Sequence, residues 1–258
     1  MARRRRGFWY AFAEGVLRPP MAVLTRRDWE GTENLEQDGG GIIVAANHLS
    51  WFDPIVIAHV LNNNDRPPRF LAKEAVFRIP VAGAIIGGAG QIPVYRESRD
   101  AARAVRAAVD AVKAGECVVV YPEGTITRDP DLWPMSGKTG AARIALMSGR
   151  PVIPLAHWGA QDVMGPYQKE FKALPRKTMR VKVGPPVDLS DLEGRSLVAE
   201  TLRIATDRIL DAITGLLADI RGEQPPEVRF KYRGKDGADS NGAGDDPKNT
   251  DRDSGRDS

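Results

Sequence analysis

Residues 41–54 read Gly-Ile-Ile-Val-Ala-Ala-Asn-His-Leu-Ser-Trp-Phe-Asp-Pro. The apolar run before Asn47 does not alternate with polar residues, so it reads as a strand buried on both faces. Asp53 followed by Pro54 is a helix-start signal, with the aspartate as N-cap and proline at the first helical position. A helix is predicted to follow through Ile55, Val56, Ala58 and Leu61. Further strands are predicted at 69–73, 91–95, 117–121, 151–156 and 179–183. Between them lie an apolar helix-loop at 79–90 and helices at 100–114, 137–147 and 196–220. Strands alternating with helices at this spacing imply an α/β fold, a mainly parallel mixed sheet covered by helices. Ligands in such sheets collect beyond the carboxyl ends of the strands.

The chain has 258 residues, 42% of them hydrophobic, enough for one substantial core. Its single cysteine, Cys117, excludes a disulfide framework and a multi-cysteine zinc site. Three histidines (His48, His59 and His157) leave little material for a metal centre, and no metal or cofactor is expected. A net charge of +3 is too mild to argue for nucleic acid. No apolar stretch approaches the roughly 20 residues needed to span a bilayer. Glu14 and Arg18 interrupt what would be the apolar stretch of a signal peptide, so an intracellular protein is expected.

Three regions are expected. Residues 233–258 hold five Lys/Arg and seven Asp among Gly, Ser and Asn, and read as a disordered tail. Residues 31–232 form the body. Residues 1–30 begin with Arg3, Arg4, Arg5 and Arg6, then Phe8, Trp9, Tyr10 and Phe12, cations beside an aromatic belt. That pattern suits an amphipathic helix at a membrane surface. A helix packed on the body, or arginines bound to nucleic acid, would use the same residues.

Three constellations carry chemistry. His48 and Asp53 lie on a strand-to-helix turn, where the carboxylate can fold back onto the imidazole, fix its tautomer and support a general base. An aspartate serving only as a cap fits the same spacing. Tyr121-Pro122-Glu123-Gly124-Thr125 sets a carboxylate, an adaptable backbone and a hydroxyl at a strand end, or simply makes a turn. Arg96 leaves the strand Gln91-Ile92-Pro93-Val94-Tyr95, where a guanidinium can take a phosphate bidentately or be solvated.

In order along the chain, N-H-L-S-W-F-D, then F-L-A-K-E-A-V-F-R-I-P-V-A-G with G-Q-I-P-V-Y-R, then Y-P-E-G-T and P-V-I-P-L, resemble the four blocks of the glycerolipid acyltransferase family. The 1-acylglycerol-3-phosphate acyltransferases typify that family. The resemblance covers residues 41–186 and implies the family's α/β fold. It implies an acyl-CoA or acyl-carrier-protein thioester as donor and a glycerophosphate hydroxyl as acceptor, with no cofactor. His48 then matches the catalytic base and Asp53 its orienting acid. Arg96 matches the basic residue contacting the acceptor phosphate, and Glu123, Gly124 and Thr125 match the acceptor-binding block. Pro154 matches the proline of the fourth, and Lys73 is a further candidate phosphate contact. The third block usually continues with arginine after the threonine; here that position is Ile126, with Arg128 two residues on.

The expectation is therefore acylation of 1-acylglycerol-3-phosphate to phosphatidic acid, on the cytoplasmic face of the cell membrane, by a peripheral (monotopic) enzyme that does not bind nucleic acid. Alternatives are glycerol-3-phosphate or another lysophospholipid as acceptor, hydrolysis by the same pair, or a lipid- or nucleic-acid-binding module without catalysis.

Overall fold

The structure, a computed structural model, describes residues 7–37, 40–94, 98–168 and 170–232. Arg3 to Arg6, Arg96 and the tail 233–258 lie outside the described residues. The order is helix α1 (Phe8–Leu24), strand β1 (Thr25–Glu30), β2 (Ile42–Ala46), α2 (Asp53–Asn63), β3 (Pro68–Lys73), α3 (Glu74–Phe77), α4 (Ala82–Gly88) and β4 (Ile92–Val94). Then follow α5 (Ser98–Lys113), β5 (Cys117–Val120), α6 (Gly140–Ser148), β6 (Val152–Trp158), α7 (Ala160–Val163), β7 (Lys177–Val183) and α8 (Ala199–Arg221).

The sheet has the order β1-β7-β6-β2-β5-β3-β4. Neighbours run parallel except β6 and β7, which are antiparallel, so the sheet is mainly parallel and mixed. Strand β2 sits between β5 and β6, and all five of its residues are buried. Ile43 and Ala45 join one core with Val112 of α5, Ile144 of α6 and Ile209 of α8. Ile42, Val44 and Ala46 face the opposite core, with Val56, Ile57 and Val60 of α2 and Met21 of α1. The unbroken apolar run is thus the period-two pattern of a strand covered on both sides.

The amino-terminal region corrects one expectation. Thr25–Glu30, read as part of the interfacial segment, is an edge strand of the sheet, paired with β7 from Thr25 opposite Lys177 to Glu30 opposite Lys182. The sequence Thr-Arg-Arg-Asp-Trp-Glu hides it because an edge strand can keep charged side chains in water. Upstream, α1 is tethered on one side: the Tyr10 hydroxyl donates to Asn62 Oδ1 at 2.5 Å and Met21 is buried. Its other side presents Phe8, Trp9, Phe12 and Val16 to solvent, Phe8 being 75% exposed. Among the described residues no helix is long and apolar enough to cross a membrane.

Entry to β2 needs glycine. A Cβ on Gly41 would lie 1.9 Å from the Val112 carbonyl oxygen, a backbone atom at the end of α5 that cannot step aside. Gly41→Ala is therefore expected to lower the unfolding free energy by about 1–3 kcal/mol. Gly140→Ala, where a Cβ meets nothing within 4 Å, is expected to be neutral or mildly stabilising. Urea unfolding of both variants checks the contrast, and equal midpoints would refute it.

Candidate active site

Strands β2, β5 and β6 end together, and the chain beyond each contributes to one site. The turn after β2 is organised by the fully buried Asp53. Its Oδ2 accepts hydrogen bonds from His48 Nδ1–H at 2.8 Å, Leu49 N–H at 2.5 Å and Ser50 N–H at 2.8 Å. This corrects the cap assignment: Phe52 is the N-cap, Asp53 opens α2, and the carboxylate turns back over the preceding turn. Ser50 tightens the turn, its hydroxyl donating to the Met164 carbonyl at 2.6 Å and accepting from Phe52 N–H at 2.9 Å. With Nδ1–H given to Asp53, the network assigns the tautomer in which His48 Nε2 keeps its lone pair. The ring lies flat on Tyr121, centroids 4.1 Å apart and planes 15° apart, and its side chain is 13% exposed.

The loop after β5 divides the predicted acceptor-binding trio. Glu123 faces inward at 4% exposure; Oε1 accepts His48 N–H at 3.1 Å and Oε2 accepts Met135 N–H at 3.0 Å. Its two oxygens thus tie the backbone of the turn after β2 to that of the loop after β5. Gly124 is exposed with φ +71°, and a Cβ there would lie 3.1 Å from the Lys138 side chain. Thr125 keeps its hydroxyl 3.3 Å from that of Tyr167. Ile126, where the family usually has arginine, is buried at 1% exposure. Arg128 is exposed, its guanidinium 3.6 Å from the Tyr167 ring centroid and 5.4 Å from that of Tyr232. Lys73 closes β3 as an exposed residue at the carboxyl side of the same sheet.

Several contributors carry little signal in the sequence. Asn47 faces His157 on both sides of the amide: Nδ2 donates to the His157 carbonyl at 3.0 Å and Oδ1 accepts His157 N–H at 2.9 Å. His157 lies behind Asp53 with Nε2 3.7 Å from Oδ2. Burial holds its imidazole below the usual pKa. Tyr121 opens the Y-P-E-G-T block, but its stacking on His48 emerges only in the structure, as does the contact of Lys138 with Gly124. His59 lies elsewhere, edge-on to Trp29 at 5.4 Å, its pKa lowered to about 4 by burial and then by Arg27 and Arg18. Cys117 is core, its thiol pushed up to about 12 by burial. Among the described residues no group of three or more His, Cys, Asp or Glu side chains is placed to hold a metal ion.

Burial, reinforced by the Asp53 charge, raises the Glu123 pKa from its ordinary 4.5 to about 8 against the pull of the Met135 and His48 N–H groups. Between those values the folded state keeps a proton that the unfolded chain releases, so this residue's contribution to stability falls as pH rises. Glu123→Gln does not titrate. Its stability relative to wild type should therefore increase from about pH 5 to about pH 8. Unfolding curves across that range test the sign, and a constant difference would show that Glu123 titrates as it does in the unfolded chain.

A family model described as Acyltransferase matches residues 26–158. A chloroplastic 1-acyl-sn-glycerol-3-phosphate acyltransferase of Brassica napus is 29% identical over 79% of this chain and 59% of its own length. One from Arabidopsis thaliana is 28% identical over 67% of this chain and 48% of its own. The chain thus spans about half to three-fifths of these curated relatives. The crystal structure of the 1-acyl-sn-glycerophosphate (LPA) acyltransferase PlsC from Thermotoga maritima superposes with a TM-score of 0.63 at 26% identity, covering 83% of this chain and 81% of that one. The family match takes in β2, the His48–Asp53 turn, the Glu123 loop and β6, more than half of the protein. On that match, the chain belongs to the Acyltransferase family.

Proposed function

We propose that this chain moves a fatty acyl group from acyl-CoA or acyl-carrier protein to the free hydroxyl of 1-acylglycerol-3-phosphate, giving phosphatidic acid. The observation that supports it most is the 2.8 Å bond between His48 Nδ1 and the fully buried Asp53, which leaves Nε2 as the proton acceptor at a strand end. In the proposed reaction Nε2 takes the acceptor hydroxyl proton as its oxygen attacks the thioester carbonyl carbon. Asp53 stabilises the imidazolium that forms. The tetrahedral species collapses with cleavage of the C–S bond, and the imidazolium returns its proton to the departing sulfur. The thioester is the co-substrate, and these steps call for no cofactor.

The acceptor phosphate is assigned to Lys73 at the end of β3, to Arg128 and Lys138 around the loop after β5, and to Arg96 on the resemblance of its sequence block. Arg128 stacked on Tyr167 keeps its planar N–H edge available to phosphate oxygens. Lys138 packs against Gly124, beside Thr125. The outer face of α1 is assigned to the membrane surface, where Phe8, Trp9 and Phe12 form a mutually packed aromatic group, Phe8 and Phe12 stacked at 6.3 Å. The cytoplasmic face is the side on which acyl-CoA and acyl-carrier protein are available.

Thioester-release assays with a panel of acceptors test the reaction. His48→Ala should lose roughly 10²–10⁴-fold in turnover, with Asp53→Asn also severely impaired. Release that needs no acceptor would point to a hydrolase, and near-wild-type turnover by His48→Ala would remove the base. Arg96→Ala, Arg128→Ala and Lys138→Ala should raise the KM for 1-acylglycerol-3-phosphate while the donor KM holds. An acceptor of equal chain length without phosphate should be poor for all of them, and equal losses on both acceptors would make these cations structural.

Replacing Phe8, Trp9 and Phe12 together by serine should weaken co-sedimentation with anionic vesicles while the domain stays folded. Undiminished binding would place the attachment elsewhere.

A further inference from the structure

The peptide linking Asn47 to His48 is held at both of its polar ends by side chains from the two neighbouring strands. Its carbonyl oxygen, that of Asn47, lies 3.0 Å from Nε2 of His157, the penultimate residue of strand β6. Its N–H, that of His48, donates to Glu123 Oε1 at 3.1 Å, just past β5. Since β2 lies between β6 and β5, the two side chains continue the hydrogen-bond ladder past the last paired residues, Ala46 with Leu155 and Ala45 with Val120. Both residues are buried, His157 at 1% and Glu123 at 4% exposure. The next link is fixed as well: the His48 carbonyl accepts from Thr127 N–H at 2.8 Å.

We infer that Glu123 and His157 are positioning residues that hold the Asn47–His48 peptide plane from opposite edges and thereby set where His48 Nε2 points. The inference rests on the reading of His48 as the base. It also gives Glu123 a different task from contact with the acceptor. A peptide plane has two polar ends in a fixed trans relation, so bonding both stops it rotating about the strand axis. The Cα–Cβ direction of His48 is then set, and the Asp53 bond together with the Tyr121 ring fixes the remaining side-chain freedom. His157 can do this only as the tautomer carrying its proton on Nε2, which donates to the Asn47 carbonyl. His157 Nδ1 has no partner among the described residues, so nothing there competes for the proton. The Asn47 amide bonds to both backbone groups of His157 and prevents β6 from sliding relative to the turn.

Steady-state kinetics of the full chain with 1-acylglycerol-3-phosphate and acyl-CoA test this. His157→Leu, which removes the donor, should lower kcat by up to about 10²-fold, as expected for a misdirected base, with both KM values within about twofold. His157→Gln, which keeps an N–H donor, should recover most of that loss. Glu123→Leu, which removes the acceptor of His48 N–H, should also lower kcat at unchanged KM. Because both residues act on one peptide, the His157→Leu, Glu123→Leu double variant should lose less than the product of the two single losses. Should His157→Leu fail to fold by circular dichroism, His157→Asn takes its place, its amide being too short to reach the Asn47 oxygen. The inference is overturned if the variants raise the acceptor KM at constant kcat, if His157→Gln rescues nothing, or if the losses multiply. His48→Ala run alongside separates the two levels. An active His48→Ala removes the base itself, whereas an inactive one beside unimpaired His157 and Glu123 variants removes only the positioning role.

Discussion

A strand covered on both faces has no place for a polar side chain along its length, and its backbone must find every hydrogen-bond partner from its two neighbours. β2 is such a strand, all five residues buried and flanked by β5 and β6. Chemistry on it can begin only where the strand ends, and there the backbone partners also run out. The site follows from that shortage. Asn47, Glu123, His157 and Thr127 supply the bonds that further strand would have made, and each of those bonds falls on Asn47 or His48.

The same shortage accounts for the concentration of buried ionisable groups around one turn. Asp53, Glu123 and His157 are each under 5% exposed, which is costly unless hydrogen bonds replace water. Asp53 receives three donors on one oxygen and Glu123 one on each of its oxygens. For Glu123 burial still wins, as its raised pKa shows. The two carboxyl groups therefore differ in kind, one bonded to an imidazole and two turn amides, the other to two backbone amides and the Thr127 side chain.

The irregular connection between β5 and α6 is held just as closely, which is how a loop can frame a site. Thr127 bonds the Trp133 carbonyl at 2.8 Å, Asp129 Oδ1 accepts from Asp131 and Trp133 N–H, and Lys138 N–H donates to the Pro122 carbonyl at 2.8 Å. Elements beyond the family match close over it: Arg221 of α8 stacks on Trp133 with 4.1 Å to the ring centroid, and the Phe230 carbonyl accepts Ser136 N–H at 3.0 Å. The sequence departure at Ile126 fits this frame, since the side chain there is packed inside while Arg128 carries charge at the surface.

Periodicity and local order made much of this legible from the residues alone. The apolar run of β2, the strand–helix alternation and the His48-to-Asp53 spacing are local properties, and hydrophobic burial and short-range geometry realise them wherever the chain folds. Four blocks in order named the family because their order is a property of the chain. Strand β1 escaped notice because its partner is some 150 residues away and an edge position tolerates charge. The direction of the Asp53 carboxylate, the inward turn of Glu123, and the placing of His157 behind the site depend on which strands become neighbours. Sheet order β6-β2-β5 brings together residues 110 and 75 positions from the turn. No local signal encodes that order, because it is selected by the burial of both faces of the sheet at once.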